Sequence, residues 1–151
     1  ISPHFRVVRM RLDVGNALVS PGMPVVAPSG LIGQVITVSG NFCDVMLSVD
    51  TQSRIDILVQ RNRTRGILIG NGHEDNYTSH VSYLLQRDEA QVGDVVVTSG
   101  QGGRFPPDLI VGNIIEVSED SPGLYQEVTV QPSVDFSRLE EGYIITNMER
   151  P

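Results

Sequence analysis

The chain has 151 residues, 40% of them hydrophobic and 19% charged, with a formal net charge of -7. That apolar fraction is enough to build packed cores, and the acidic balance argues against a sequence-independent grip on nucleic acid, which needs concentrated positive charge facing phosphates. All eleven basic residues are arginine, so Schiff-base chemistry, lipoyl or biotinyl attachment and a phosphate-loop lysine are excluded for this chain, because each needs the ε-amine itself.

Short apolar runs, alternating at period two or continuous, are separated by Gly, Pro, Asn and Ser clusters, the pattern of half-buried strands and turns. In chain order the predicted strands are 5–12, 25–26, 31–38, 44–49, 55–59, 66–69, 81–85, 95–98, 110–117, 127–130 and 143–146. Tryptophan is absent and aromatics are few, so Val, Ile and Leu must fill the cores. No window keeps the i, i+3, i+4, i+7 spacing for three turns, and fifteen Gly with nine Pro interrupt every stretch where a helix could grow. A short helical turn at 137–141 is expected, with Ser137 and Glu140 at capping-box spacing. Cys43, the single cysteine, lies in an apolar run and reads as a small buried hydrophobe.

The expected fold class is all-β, in two small barrel-like lobes of about five to six strands each. An internal echo supports it. Gly22, Val25, Val26, Ser29, Gly30 and the strand Leu31 to Val38 recur as Gly93, Val96, Val97, Ser99, Gly100 and the strand Ile110 to Val117, with residues 101–109 extra in the second copy. Downstream, Phe42 to Leu47 is answered by Tyr125 to Val130. About five strands per copy favour closure over an open sheet with exposed edges. The expected division is 1–62 for the first lobe and 63–151 for the second. The hairpin around 67–85 would bridge them, with 71–79 as its polar loop, and the last strand, near 143–148, could close either lobe. Charge divides the same way: residues 1–65 carry +3 and residues 66–151 carry -10. Complementary fields of that kind suit steered or end-to-end association.

Arg61, Arg63 and Arg65 alternate at strand period. If extended, they line one face, either as a solvated edge that resists aggregation or as a docking patch for an acidic partner or anionic headgroups. His73, Glu74, Asp75 and His80 form a polar loop cluster whose spacing does not match a closed zinc site. His80, Asp94 and Ser99 imitate the order of a hydrolase triad, but one short hairpin cannot gather three groups around a substrate, and Ser99 lacks a nucleophile signature.

The densest signal runs from Gly93 and Asp94 through Val95, Val96, Val97, Thr98, Ser99, Gly100, Gln101, Gly102, Gly103, Arg104, Phe105, Pro106 and Pro107 to Ile110, Val111 and Gly112. A phosphate-binding loop would lead into a helix N-terminus, and this one leads into a strand, so a structural turn is the expected reading. This stretch is similar to the most recognisable segment of the MreC family. The resemblance extends to Gly22-Met23-Pro24-Val25-Val26, Gly30 to Val35 and Pro132 to Phe136, and is weakest over 1–20 and 71–79. It implies a non-catalytic scaffold of cell-wall elongation and rod-shape maintenance, with lobes resembling the barrels of chymotrypsin-like proteases and no cofactor or metal. The implied partners are the penicillin-binding transpeptidase, the MreB and MreD proteins and further copies of the chain. The implied place is the periplasmic face of the bacterial inner membrane, with a single-pass anchor upstream. The alternative is a periplasmic adaptor of an efflux or secretion assembly, because Val25 to Gly30 looks like the lipoyl-type strands of such proteins.

Overall fold

A computed structural model describes residues 9–13, 18–72, 76–85, 89–118 and 123–146, the first of these segments by its backbone. They form β1 (Arg9–Asp13), β2 (Pro24–Ala27), β3 (Gly30–Ser39), β4 (Phe42–Leu47), β5 (Arg54–Val59), β6 (Arg65–Gly70), β7 (Ser79–Leu85), β8 (Val95–Thr98), β9 (Ile110–Val117), β10 (Tyr125–Pro132) and β11 (Tyr143–Ile144). The all-β, two-lobed expectation holds. One lobe is a five-stranded sheet in the order β1-β4-β3-β2-β11, and the other is a closed barrel, β10-β7-β6-β5-β8-β9.

Side-chain alternation decides which way each strand faces. In β4, Cys43, Val45 and Leu47 point inward, and with Val25, Ile32, Val35 and Val49 they form the core of the open sheet. In the barrel, Ile55, Ile57 and Val59 of β5 meet Leu68, Val81, Leu84, Val96, Val128 and Val130. The barrel strands that bury every second residue keep polar groups outside, as a half-solvated antiparallel sheet must.

The internal echo is a structural duplication. Val25 pairs with Gly33 as Val96 pairs with Gly112, and a bulge follows at the same place in both ladders. The Gly22 N–H donates to Val35 O at 2.7 Å, and the Gly93 N–H donates to Ile114 O at 2.8 Å. The next strand differs from the expectation by two residues: Val35 faces Val45 and Ile114 faces Val130, so Phe42 is equivalent to Glu127 rather than Tyr125.

The repeat also runs further than the sequence echo. Ser48 and Ser133 both donate backbone N–H bonds, to Ile32 O at 2.8 Å and to Val111 O at 3.0 Å. Asp50 Oδ1 accepts from the Gln52 N–H at 2.8 Å, and Asp135 Oδ1 accepts from the Ser137 N–H at 3.1 Å. The expected helical turn is a single 3-10 turn, Phe136–Arg138, capped by Asp135 instead of Ser137. An Asp carboxylate reaches an N–H two residues on without strain, which is why it takes the cap.

After each repeated turn the chain crosses to the other lobe. β5 pairs with β8, Leu58 opposite Val97, and β11 pairs with β2, Tyr143 opposite Val26. Gln60 and Ile145 donate equivalent N–H bonds to Val95 O and Pro24 O, both at 2.8 Å. The expected division at 62/63 is therefore corrected: β5, although inside 1–62, is a barrel strand, and the crossing lies between Leu47 and Arg54. The last strand returns to the first sheet.

The hairpin β6–β7 is corrected likewise. It closes the barrel between β5 and β10 instead of bridging two lobes, although its loop end touches the first turn, where the Gly72 N–H donates to Val49 O at 2.7 Å. β1 flanks β4 as β7 flanks β10. Among the described residues nothing in the first sheet takes the place of β6, so that sheet stays open between β1 and β11.

Candidate functional site

The glycine-rich loop is laid back over the outside of the barrel and tied at its root. Thr98 Oγ1 donates to Pro106 O at 2.6 Å and accepts from the Leu109 N–H at 2.9 Å, so one buried hydroxyl closes the loop. Gly100 and Gly102 have φ of 79° and 80°, a left-handed conformation that side-chain-bearing residues rarely adopt. The turn they permit sends Phe105 back into the barrel core, where it is 6% exposed. Pro107 then packs on Gly100, where an added Cβ would come within 2.9 Å of the proline ring. Ser99 Oγ donates to Asp56 Oδ1 at 2.8 Å and accepts from the Gln101 N–H at 3.1 Å, which fixes the loop to β5.

Gly93 and Asp94 serve the opposite end of β8. The Asp94 carboxylate accepts from Arg61 Nε at 2.9 Å, from Arg61 Nη2 at 3.0 Å and from the Gln91 N–H at 2.9 Å, while Arg61 Nη2 also donates to Glu89 O at 2.7 Å. The hydrogen bonds from Arg61 hold the Asp94 carboxyl below its ordinary range, against the opposing effect of burial and with help from the Gln91 N–H. A carboxyl whose native pKa is depressed contributes stability that is present above the unfolded value, about 3.9, and lost as pH falls through the native one. Asp94→Asn should therefore lower the melting temperature at neutral pH. The gap from the parent chain should close as both are acidified below about pH 4, and a gap independent of pH down to 2 would contradict this.

Arg61, Arg63 and Arg65 do not share a strand face. Residues 60–64 are a turn, in which Arg63 has φ 61° and its N–H donates to Val59 O at 2.8 Å; only Arg65 lies in a strand. Each guanidinium meets its own carboxylate: Arg61 with Asp94, Arg63 with Asp108 at 3.2 Å, and Arg65 with Asp56 at 2.6 Å.

The three residues in triad order also stay apart. His80 Nδ1 is 2.5 Å from Asn71 Oδ1, Asp94 is held by Arg61, and Ser99 is held by Asp56. His73, Glu74 and Asp75 lie outside the described residues, and among the described ones no three His, Cys, Asp or Glu side chains are grouped to hold a metal. Cys43 is buried, as its apolar neighbours suggested.

One feature was missed by the sequence reading. Between the glycine loop and strands β5 and β6 lies a cavity of about 220 Å³, whose lining includes Arg54, Asp56 and Arg104 together with Ile67 and Phe105. The arginine directly after the glycine pair was the available signal.

Comparison with known proteins places the fold. The family model described as "Rod shape-determining protein MreC, barrel core" matches residues 6–146. The chain belongs to the MreC family. The cell shape-determining protein MreC of Escherichia coli is 33% identical over 129 residues, covering 85% of this chain and 35% of that protein. MreC of Haemophilus influenzae is 36% identical over 118 residues, covering 78% of this chain and 33% of its own length. The chain thus spans about a third of the length of these curated relatives. Among solved structures, MreC from Pseudomonas aeruginosa superposes with a TM-score of 0.86 at 32% identity, covering 96% of this chain and 93% of that one. A structure described as the major periplasmic domain of the cell shape-determining filament MreC gives 0.72 at 31%, covering 88% and 82%. MreC from Helicobacter pylori, solved in complex with a penicillin-binding protein, gives 0.66 at 19% identity over 87% and 80% of the two chains, a likeness of fold alone. Among the described residues no helix is long and apolar enough to cross a membrane.

Proposed function

We propose that the chain is a non-catalytic scaffold module of bacterial cell-wall elongation and rod-shape maintenance, which works by binding the elongation transpeptidase and by self-association. The observation that carries this reading is the match to MreC across nearly the whole chain in both sequence and fold. The Helicobacter pylori complex supports a penicillin-binding protein as partner, and the description of a related structure as the major periplasmic domain of a cell shape-determining filament supports the location and the self-association. Links to the MreB and MreD proteins and a membrane anchor belong to the same proposal, through the parts of such proteins that lie beyond this domain.

The physical basis is recognition without chemistry. Ser99, His80 and Asp94 each have a structural partner, and among the described residues β1 and β11 are paired on one side only, edges that suit strand capture. A periplasmic adaptor, the other reading of the sequence, gives no reason for the tied glycine loop. The test is retention of the 151-residue chain on the immobilised membrane-proximal, non-penicillin-binding domain of the transpeptidase. Saturable retention is expected, and its absence from low to physiological salt would overturn the proposal.

A further inference from the structure

Charge matching in this molecule is uneven in one place. Among the arginines whose side chains are described, Arg61, Arg63, Arg65 and Arg138 each face a carboxylate of the same chain. The two that do not are Arg54 and Arg104, although acids outnumber arginines by eighteen to eleven. Both line the cavity beneath the glycine loop. They come from distant points in the sequence, one from the start of β5 and one from the end of the loop.

We propose that this cavity is a binding site for the carboxylate of an acidic side chain presented by an extended peptide of a partner protein. The inference deepens the binding-module reading and rests on it.

Four features of the site support a carboxylate. Arg54 Nη1 donates to Thr51 O at 2.8 Å and Ser53 O at 3.0 Å, so its guanidinium is held in place before any ligand arrives. A guanidinium carries five N–H donors in a planar fork, and two carbonyls on one nitrogen leave others for an acceptor. The nearby Asp56 carboxylate does not neutralise the site, because Arg65 and the Ser99 hydroxyl already engage it. Ile67 and Phe105 give the lining an apolar part that suits the short stem of an acidic side chain.

Size and lining narrow the choice further. About 220 Å³ holds one side chain with part of its backbone. Phosphate carries no apolar stem to lie against Ile67 and Phe105, so a carboxylate on a short side chain is favoured. The wall formed by Gly100 and Gly102 has no side chains to obstruct entry, and at Gly102 an added Cβ would meet nothing within 4 Å.

The test is a titration of the isotope-labelled 151-residue chain, followed by amide chemical shifts. The ligands are a capped Leu-Glu-Leu tripeptide, its Leu-Gln-Leu counterpart and inorganic phosphate. The glutamate peptide should give saturable shifts centred on Gly100, Gln101 and Gly102, with little response to the glutamine peptide and weaker binding of phosphate. Arg54→Gln with Arg104→Gln should weaken the glutamate peptide by about tenfold or more, the loss expected when charge-assisted hydrogen bonds are removed. Arg104→Gln alone keeps the test valid if Arg54→Gln disturbs the turn it holds, and should itself weaken binding measurably. Shifts centred elsewhere, an equal response to the glutamine peptide, a preference for phosphate or unchanged binding in Arg104→Gln would each overturn the proposal. Transpeptidase retention measured on the same samples separates the two readings: retained capture without peptide binding removes this site and leaves the scaffold function standing.

Discussion

Cutting the chain between Asn62 and Arg63 should give two pieces that stay unfolded alone and fold when mixed. The boundary looks natural in sequence, yet it separates β5 from its barrel and β11 from its sheet. The barrel piece would lose Ile55, Ile57, Leu58 and Val59, all at most 7% exposed, from between β6 and β8. Burying four such side chains contributes about 2 kcal/mol each, so the loss approaches the whole stability of an average domain, about 5–15 kcal/mol. The other piece would lose Val134 and Phe136, which are core members, and Ile144, which packs against that core. Far-UV circular dichroism and amide shift dispersion on each piece and on the mixture check this. A dispersed spectrum from either piece alone would mean that the crossing strands are dispensable and that the lobes are independent domains.

What the sequence disclosed and what it hid follow from the range of each signal. Strand positions were legible because alternation and turn residues are local, and Val95–Thr98 and Ile110–Val117 fall where the pattern put them. The two-residue error between Phe42 and Tyr125 has the same origin: a shift of two preserves which side chains face inward, so period two cannot detect it. The reciprocal crossing was hidden because strand partnership is a long-range property. A clue was present all the same, in the repeated Ser48-Val49-Asp50 and Ser133-Val134-Asp135 that carry equivalent turns just before each crossing.

Among the candidate site residues, the glycine loop was legible because glycines, Phe105 and the prolines mark a turn by their own chemistry. The arginine face depended on an extended segment across Asn62, whose side-chain oxygen instead accepts from the Thr64 N–H at 3.2 Å and shapes a turn. Arg54 and Arg104 stand far apart in sequence, so only the folded barrel brings them to one cavity.

The duplication also fixes where a single methyl group should do most harm. Gly33 and Gly112 are equivalent, each facing the third strand of its unit at closest approach. A Cβ at Gly33 would lie 1.9 Å from Met46 O and 3.0 Å from Leu47 Cα; at Gly112 it would lie 2.1 Å from Gln131 O and 2.9 Å from Pro132 Cα. Those neighbours are backbone atoms in ladders paired on both sides, so they cannot turn aside as a flexible side chain would. Gly33→Ala and Gly112→Ala should each cost about 3 kcal/mol or more, at or beyond the upper end of ordinary overpacking. Gly22 and Gly93 are equivalent too, both with φ of +96° and nothing within 4 Å of an added Cβ, so alanine there strains only the backbone and should cost about 1 kcal/mol. Chemical denaturation of the four variants distinguishes space from conformation: two large matched losses and two small matched ones are expected. Because β5 and β11 tie the lobes together, Gly33→Ala should move the barrel's unfolding as well as the sheet's, in a single transition. A barrel signal that stays at its original midpoint would show that the exchanged strands do not couple the two halves.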